Sequence, residues 1–163
     1  MSALLAFAFK GNISEQVLSK LHISDSLYLH STTESIALFL RKIQTIQSRF
    51  ILGLGMYSGR DRDKLRMETI CSNRFRNSIL GNTVKYWKIN YFLKPNADVK
   101  PASGIGNSYC NYISFQIGTL IQKQNLDLHY TFIHIPKNFD KEKAITTLRH
   151  LLKPESLSLP LYE

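Results

Sequence analysis

The stretch Leu4–Leu21, LLAFAFKGNISEQVLSKL, decides how the rest of the chain is read. LLAFAF is wholly apolar and stops at Lys-Gly-Asn, the form of a strand buried on both faces. Asn12, with Glu15 three residues later, makes a capping box, and Ile13, Val17, Leu18 and Leu21 then recur at helical spacing. The unit repeats. SLYLH (26–30) is a second short strand, and Ser31 with Glu34 forms a second box. Ile36, Leu40, Ile43 and Ile46 or Gln47 mark a second helix, and FILGLG (50–55) is a strand ending in glycines. Strand, helix, strand, helix, strand predicts a parallel sheet with helices packed against it.

The middle is less regular. GRDRDKLRMETICSNRFRNSILGN (59–82) is dense in charge and is expected to cross the open end of the sheet. VKYWKINYFLK (84–94) alternates loosely enough for one or two strands, or a hairpin arm. Its aromatics, Tyr86, Trp87, Tyr91 and Phe92, suit base stacking, a subunit contact or a sheet face. Order returns with a helix from about Ser108, the strand LHYTFIHI (128–135) and a last helix from near Asp140 to Leu152. Pro154 and Pro160 mark a tail without helical commitment.

With 163 residues, 44% of them hydrophobic, the chain suits one domain over 1–163. It holds no apolar run long enough for a transmembrane span, so no membrane partner is expected. The apolar opening lacks the basic flank and cleavage pattern of a signal peptide. Two cysteines, Cys71 and Cys110, are too few for a disulfide scaffold, which suits a reducing, cytoplasmic setting. The net charge is +9, and Arg60–Lys100 carries ten Lys or Arg against four Asp or Glu. That balance attracts nucleic acid, anionic membrane or acidic ligands, but no nucleic-acid motif accompanies it.

Chemistry concentrates at two places. In GNSYCNYISFQIG (106–118), Ser108 or Asn107 caps a helix whose first turn holds Cys110. Free backbone N–H groups there favour a thiolate and can bind an oxyanion. Cys110 also shares an apolar stripe with Ile113, Ile117 and Leu120, so a packing role fits equally, and packing is the expectation for Cys71. His134, in FIHIP (132–136), sits near the end of a strand, where catalytic groups of parallel sheets gather. If the strand before the Cys110 helix is parallel, thiol and imidazole meet at one edge. His129, His134 and Asp127 lack firm metal-ligand spacing, and no cofactor or metal is required.

GMYSGR (55–60), GNSYCN (106–111) and FIHIP, in that order and with this Cys-to-His interval, resemble the pyroglutamyl-peptidase I (pyrrolidone-carboxylate peptidase) family. The resemblance implies a three-layer α/β/α sandwich with a mostly parallel sheet, assembling as a dimer or tetramer. It also implies a cysteine peptidase that removes an N-terminal pyroglutamyl or similar small acyl group from a peptide or amide. Cys110 resembles the nucleophile and His134 the general base. Arg76 falls on an arginine near the active site, and Gly55, Gly59, Arg60, Tyr109 and Asn111 belong to the matching segments.

The chain departs from the family at its acid. Gapless alignment from Arg60 puts Arg66 where the family has its catalytic glutamate, with Glu68 two residues on. In an extended segment those two side chains share a face, so Glu68 is the candidate substitute. Otherwise the imidazole has a cation for a neighbour and no acidic partner. The family's N-terminal stretch lining the lactam pocket is only echoed by AFAFKGN, where Phe7 and Phe9 either contact a small ring or pack the core. A catalytically impaired relative that binds an anionic partner is the alternative to a hydrolase.

Overall fold

The computed structural model describes residues 4–46, 48–60, 62–81 and 84–153. Gln47, Pro154 and Pro160 lie outside the described residues. The opening unit forms β1 (Leu4–Phe9), α1 (Ile13–Leu21), β2 (Asp25–Leu29), α2 (Thr33–Thr45) and β3 (Phe50–Tyr57). Asn12 caps α1 by accepting from Ser14 N at 2.8 Å, and Glu15 reaches back to Gly11 N at 2.7 Å. The second cap is Thr32 rather than Ser31; it accepts from Ser35 N at 3.1 Å. Strand β3 does not end at its glycines but runs through them to Tyr57.

The middle segment joins the sheet instead of crossing its open end. It gives β4 (Leu65–Glu68), β5 (Ile70–Ser72), β6 (Arg74–Phe75), β7 (Ser78–Ile79), β8 (Tyr86–Lys88) and β9 (Val99–Ala102). The chain continues with α3 (Tyr109–Gln124), β10 (His129–Pro136) and α4 (Lys141–Leu151). The main sheet has the order β2-β1-β3-β10-β4-β9. The first four of these strands are parallel; β4 pairs antiparallel with β10, and β9 lies parallel to β4. Small ribbons, β5–β8 and β6–β7, stand beside it.

Alternation along the strands divides the core. Leu5, Phe7, Phe9, Ile51, Tyr130 and Phe132 face α2 and α3, while Ala6, Ala8, Leu52, Leu54, Ile133 and Ile135 face α1 and α4. Each large side chain so buried contributes about 1.5–3 kcal/mol. The expected three-layer sandwich with a mostly parallel sheet is therefore the fold found. VKYWKINYFLK is not an arm. Trp87 is buried against α3, where Gly118 leaves room for its indole, and Phe92 stacks obliquely on Phe50. Among the described residues no helix is long and apolar enough to cross a membrane.

Candidate active site

On β10, residues 130, 132 and 134 share the face toward α3, and on β4 so do Arg66 and Glu68. Antiparallel pairing sets His134 opposite Arg66 and Phe132 opposite Glu68. The carboxylate then reaches diagonally to the ring: His134 Nδ1 lies 2.8 Å from Glu68 Oε1. The carboxylate accepts from the ring N–H at Nδ1, which turns Nε2 away from Glu68. His134 is 3% exposed and Glu68 fully buried, so solvent does not weaken the contact.

Arg66 does not displace this acid; it supports it. Its Nε donates to the same Glu68 Oε1 at 3.2 Å, and its guanidinium lies 4.2 Å from the centre of the Tyr57 ring. The segment's period of two brings both side chains to one face, so the arginine and the glutamate occupy the site together. Glu68 Oε2 is buried with no hydrogen-bond partner.

Cys110 enters from α3. Only residues 125–128 separate α3 from β10, so the helix runs back along the sheet and its N-terminus returns to the end of β10 that holds His134. The anticipated route was different, because β9, the strand before α3, runs antiparallel to β10. Gly55 makes the meeting possible. A Cβ built there would lie 2.7 Å from Phe132, 2.8 Å from Cys110 Sγ and 3.1 Å from His134 Cδ2. Sulfur and ring carbon are therefore no farther apart than the sum of the last two separations. Cδ2 is one bond from Nε2, so the ring edge that carries Nε2 lies near Gly55.

Ser108 is the cap residue of α3, yet its side chain makes no capping hydrogen bond. The first-turn amides are left without that partner, as an oxyanion site requires. The thiol itself departs from expectation. Burial, followed by the Glu68 charge, pushes Cys110 up to about 12 instead of down. Desolvation outweighs the helix end, and the resting sulfur is protonated.

The remaining candidates separate into near and structural. Arg76 lies beside the helix mouth with a backbone φ of 54°, in the hairpin turn between β6 and β7. Its N donates to Asn107 O at 2.7 Å and its guanidinium to Tyr109 Oη at 3.4 Å. A left-handed non-glycine turn costs about 1–3 kcal/mol and needs such surrounding support. Asn111 is a correction: it is fully buried, accepts from Ser72 N at 2.8 Å and donates to Ser72 O at 2.9 Å and to Arg74 O. Its amide is occupied in holding β5 and β6 to α3. Phe7 and Phe9 are likewise core, 0% and 3% exposed, with Phe7 packed on Phe39 and Phe132.

Gly59 touches no open site. It lies under the Tyr57 ring and hydroxyl, which leave no room for a Cβ, and Arg60 is exposed beyond it. Tyr57 was missed by the sequence reading. Its ring centre is 5.8 Å from that of His134, and it covers both imidazole and Arg66. Its parity with Gly55 on β3 was the available signal. His129 points to the opposite sheet face from His134, 3.8 Å from Asp127. Among the described residues no three His, Cys, Asp or Glu side chains converge as a metal site.

Comparison with known proteins places this arrangement on a known scaffold. No family model matches the sequence, and no curated protein does. Solved structures do match. Pyrrolidone carboxyl peptidase from Thermococcus litoralis superposes with a TM-score of 0.77 at 15% identity, spanning 99% of this chain and 100% of that one. Pyroglutamyl peptidase I from Bacillus amyloliquefaciens gives 0.76 at 14% identity over 91% and 94% of the two chains. The pyrrolidone carboxyl peptidase from Thermus thermophilus gives 0.70 at 16% identity over 92% and 98%. With so little identity the likeness is one of fold, and the chain has the pyrrolidone carboxyl peptidase fold.

Proposed function

We propose that the chain is a divergent member of the pyroglutamyl-peptidase I family, a cysteine hydrolase that removes a pyroglutamyl or similar small N-terminal acyl group from peptides. The observation that carries this reading is the convergence of Cys110 Sγ and the His134 ring across Gly55, with Glu68 2.8 Å behind the ring. Substrate binding expels water and brings an amide carbonyl to the sulfur. Cys110 gives its proton to His134 Nε2 as Sγ bonds to the carbonyl carbon, and the oxygen takes up negative charge facing the first-turn amides of α3. His134 then protonates the departing nitrogen as the C–N bond breaks, leaving a thioester. Water attacks that thioester, His134 takes its proton, and Sγ leaves with the proton restored.

Glu68 orients the ring and balances the imidazolium that forms in each half-reaction. Arg66 holds Glu68 in place, and Arg76 stands where it can contact substrate at the helix mouth. A dimeric or tetrameric assembly and a cytoplasmic setting belong to the same proposal. The test is release of a chromophoric anilide from its pyroglutamyl derivative. Turnover by the wild-type chain, lost in Cys110→Ala, supports the reading; equal rates for both proteins, or none for either, end it.

A second reading has its own observation. A thiol held protonated to about 12 suits a chain that keeps the fold without the chemistry and binds an anionic partner through its basic surface. Ligand binding without turnover favours that reading.

A further inference from the structure

Outside the Cys110 site, one surface is built unlike the rest. A cleft of about 600 Å³ lies between the β5–β8 ribbon and the β6–β7 hairpin, walled by Ser72, Asn73, Arg74, Ile79, Lys85 and Tyr86, among others. Five large hydrophobic side chains are exposed among the described residues, and three of them line this cleft: Ile79 at 73%, Val84 at 37% and Tyr86 at 52%. Such clustering marks a binding surface, where scattered apolar residues would not.

Its charge is of one sign. From Thr69 to Ala97 the sequence has five basic residues and no acidic one. Arg74 and Lys85 line the cleft, and neither pairs with a carboxylate among the described residues. The walls are pinned: buried Asn73 accepts from Leu80 N at 2.8 Å and donates to Gly81 O, while Arg76 N is tied to Asn107 O.

The cleft also leads toward the candidate site. A smaller cleft of about 150 Å³ shares Ser72 and Tyr86 with it and extends along Gly104, Ile105 and Gly106. Gly104 adjoins the Arg66 guanidinium, and Gly106 precedes the cap of α3. The two adjoining clefts thus make a basic, apolar-walled groove that reaches Gly106, two residues before the cap of α3.

We infer that this groove binds an acidic peptide, and that in a peptidase releasing a small N-terminal group it takes the chain beyond the scissile bond. The second half of that statement rests on the hydrolase reading; the binding itself does not. A peptide is favoured over a nucleic acid because the cleft is short, has an apolar wall and opens toward a site suited to amide chemistry. Main-chain groups and aliphatic carbons meet Ile79, Val84 and Tyr86, and carboxylates meet Arg74 and Lys85.

The test uses the full chain carrying Cys110→Ala and fluorescein-labelled peptides with an N-terminal pyroglutamyl residue followed by Asp and Glu, or by Asn and Gln. The acidic peptide is expected to bind roughly tenfold more tightly, with the preference falling with salt and vanishing in Arg74→Glu/Lys85→Glu. Equal affinity for both peptides, or a preference that survives the double charge reversal, overturns the inference. So does a short RNA or DNA that binds more tightly than the acidic peptide, or a self-association that occupies the cleft and is broken by the same reversal. Selective binding with no turnover by the wild-type chain removes the hydrolase reading alone. Turnover with no acidic preference removes the cleft alone.

Discussion

The two cysteines occupy environments that look alike by every local measure and differ in what surrounds them. Cys71, on β5, is 1% exposed, its thiol 3.6 Å from the backbone O of Trp87, its partner across the ribbon. Cys110, on α3, is 9% exposed. Burial drives both thiols up to about 12. Yet only Cys110 faces a glycine gap, an imidazole with a carboxylate behind it, and a helix mouth without a side-chain cap. Burial decides the resting protonation of a thiol; the groups within proton-transfer reach decide whether it can react.

The largest expected effect sets these two sites against each other directly. If Cys110 is the nucleophile, as proposed, Cys110→Ala is expected to lower kcat for a pyroglutamyl anilide by about 10³-fold or more. Cys71→Ala is expected to leave kcat within about twofold and cost about 1–2 kcal/mol in urea unfolding. Loss of activity in both variants would erase the distinction.

Next comes the acid behind the ring. Glu68→Gln keeps the shape and removes the carboxylate charge beside His134; on the proposed mechanism it should lower kcat by about 10²–10⁴-fold with a smaller change in KM. An unchanged kcat would show that Glu68 serves only as an ion partner for Arg66.

These two predictions mark how far sequence reading reaches. That Cys110 and His134 lie on the same side of Gly55 agrees with the order and interval of their motifs, although the condition set for it, a parallel strand before the helix, is not met: β9 runs antiparallel to β10. Arg66 and Glu68 were both kept open because a register without gaps cannot show where β4 begins; its observed start at Leu65 puts both on the site face. The thiol's shift was read with the wrong sign because a helix terminus is local and visible, whereas burial comes from segments far apart in the chain. Asn111 was misplaced for the same reason: β5 and β6, which its amide holds, are remote in sequence. For Phe7 and Phe9, strand alternation already offered the core, and that is where they lie. The basic cleft escaped notice because two ribbons assemble it.

A smaller effect is expected from Gly55→Ala. The new Cβ meets Phe132 at 2.7 Å and Cys110 Sγ at 2.8 Å, so sulfur or ring must move. Overpacking of this kind costs about 1–3 kcal/mol, and displacement of the sulfur should lower kcat about 10–100-fold. Gly118→Ala, which crowds Trp87 in the surroundings of Cys71, should lower stability and leave kcat unchanged.

The last effect, on stability and not on turnover, is common to both thiols. Each has a folded pKa of about 12, above its unfolded value, so the native state retains protons that the unfolded chain loses as the solution becomes alkaline. Stability is therefore full below the unfolded thiol pKa of about 8.5 and is lost progressively as pH rises above it. Urea midpoints between pH 7.5 and 10.5 should fall, and fall less in either Cys→Ala variant.

The most direct measurement is the acyl-enzyme itself. The wild-type chain is mixed with a pyroglutamyl anilide, quenched in acid within the first turnovers, digested and mapped by mass. A pyroglutamyl adduct on the peptide containing Cys110, absent from the Cys71 peptide and from Cys110→Ala, is the predicted result. Anilide release with no adduct at Cys110 under conditions that preserve a thioester, or an adduct on Cys71, would contradict the account.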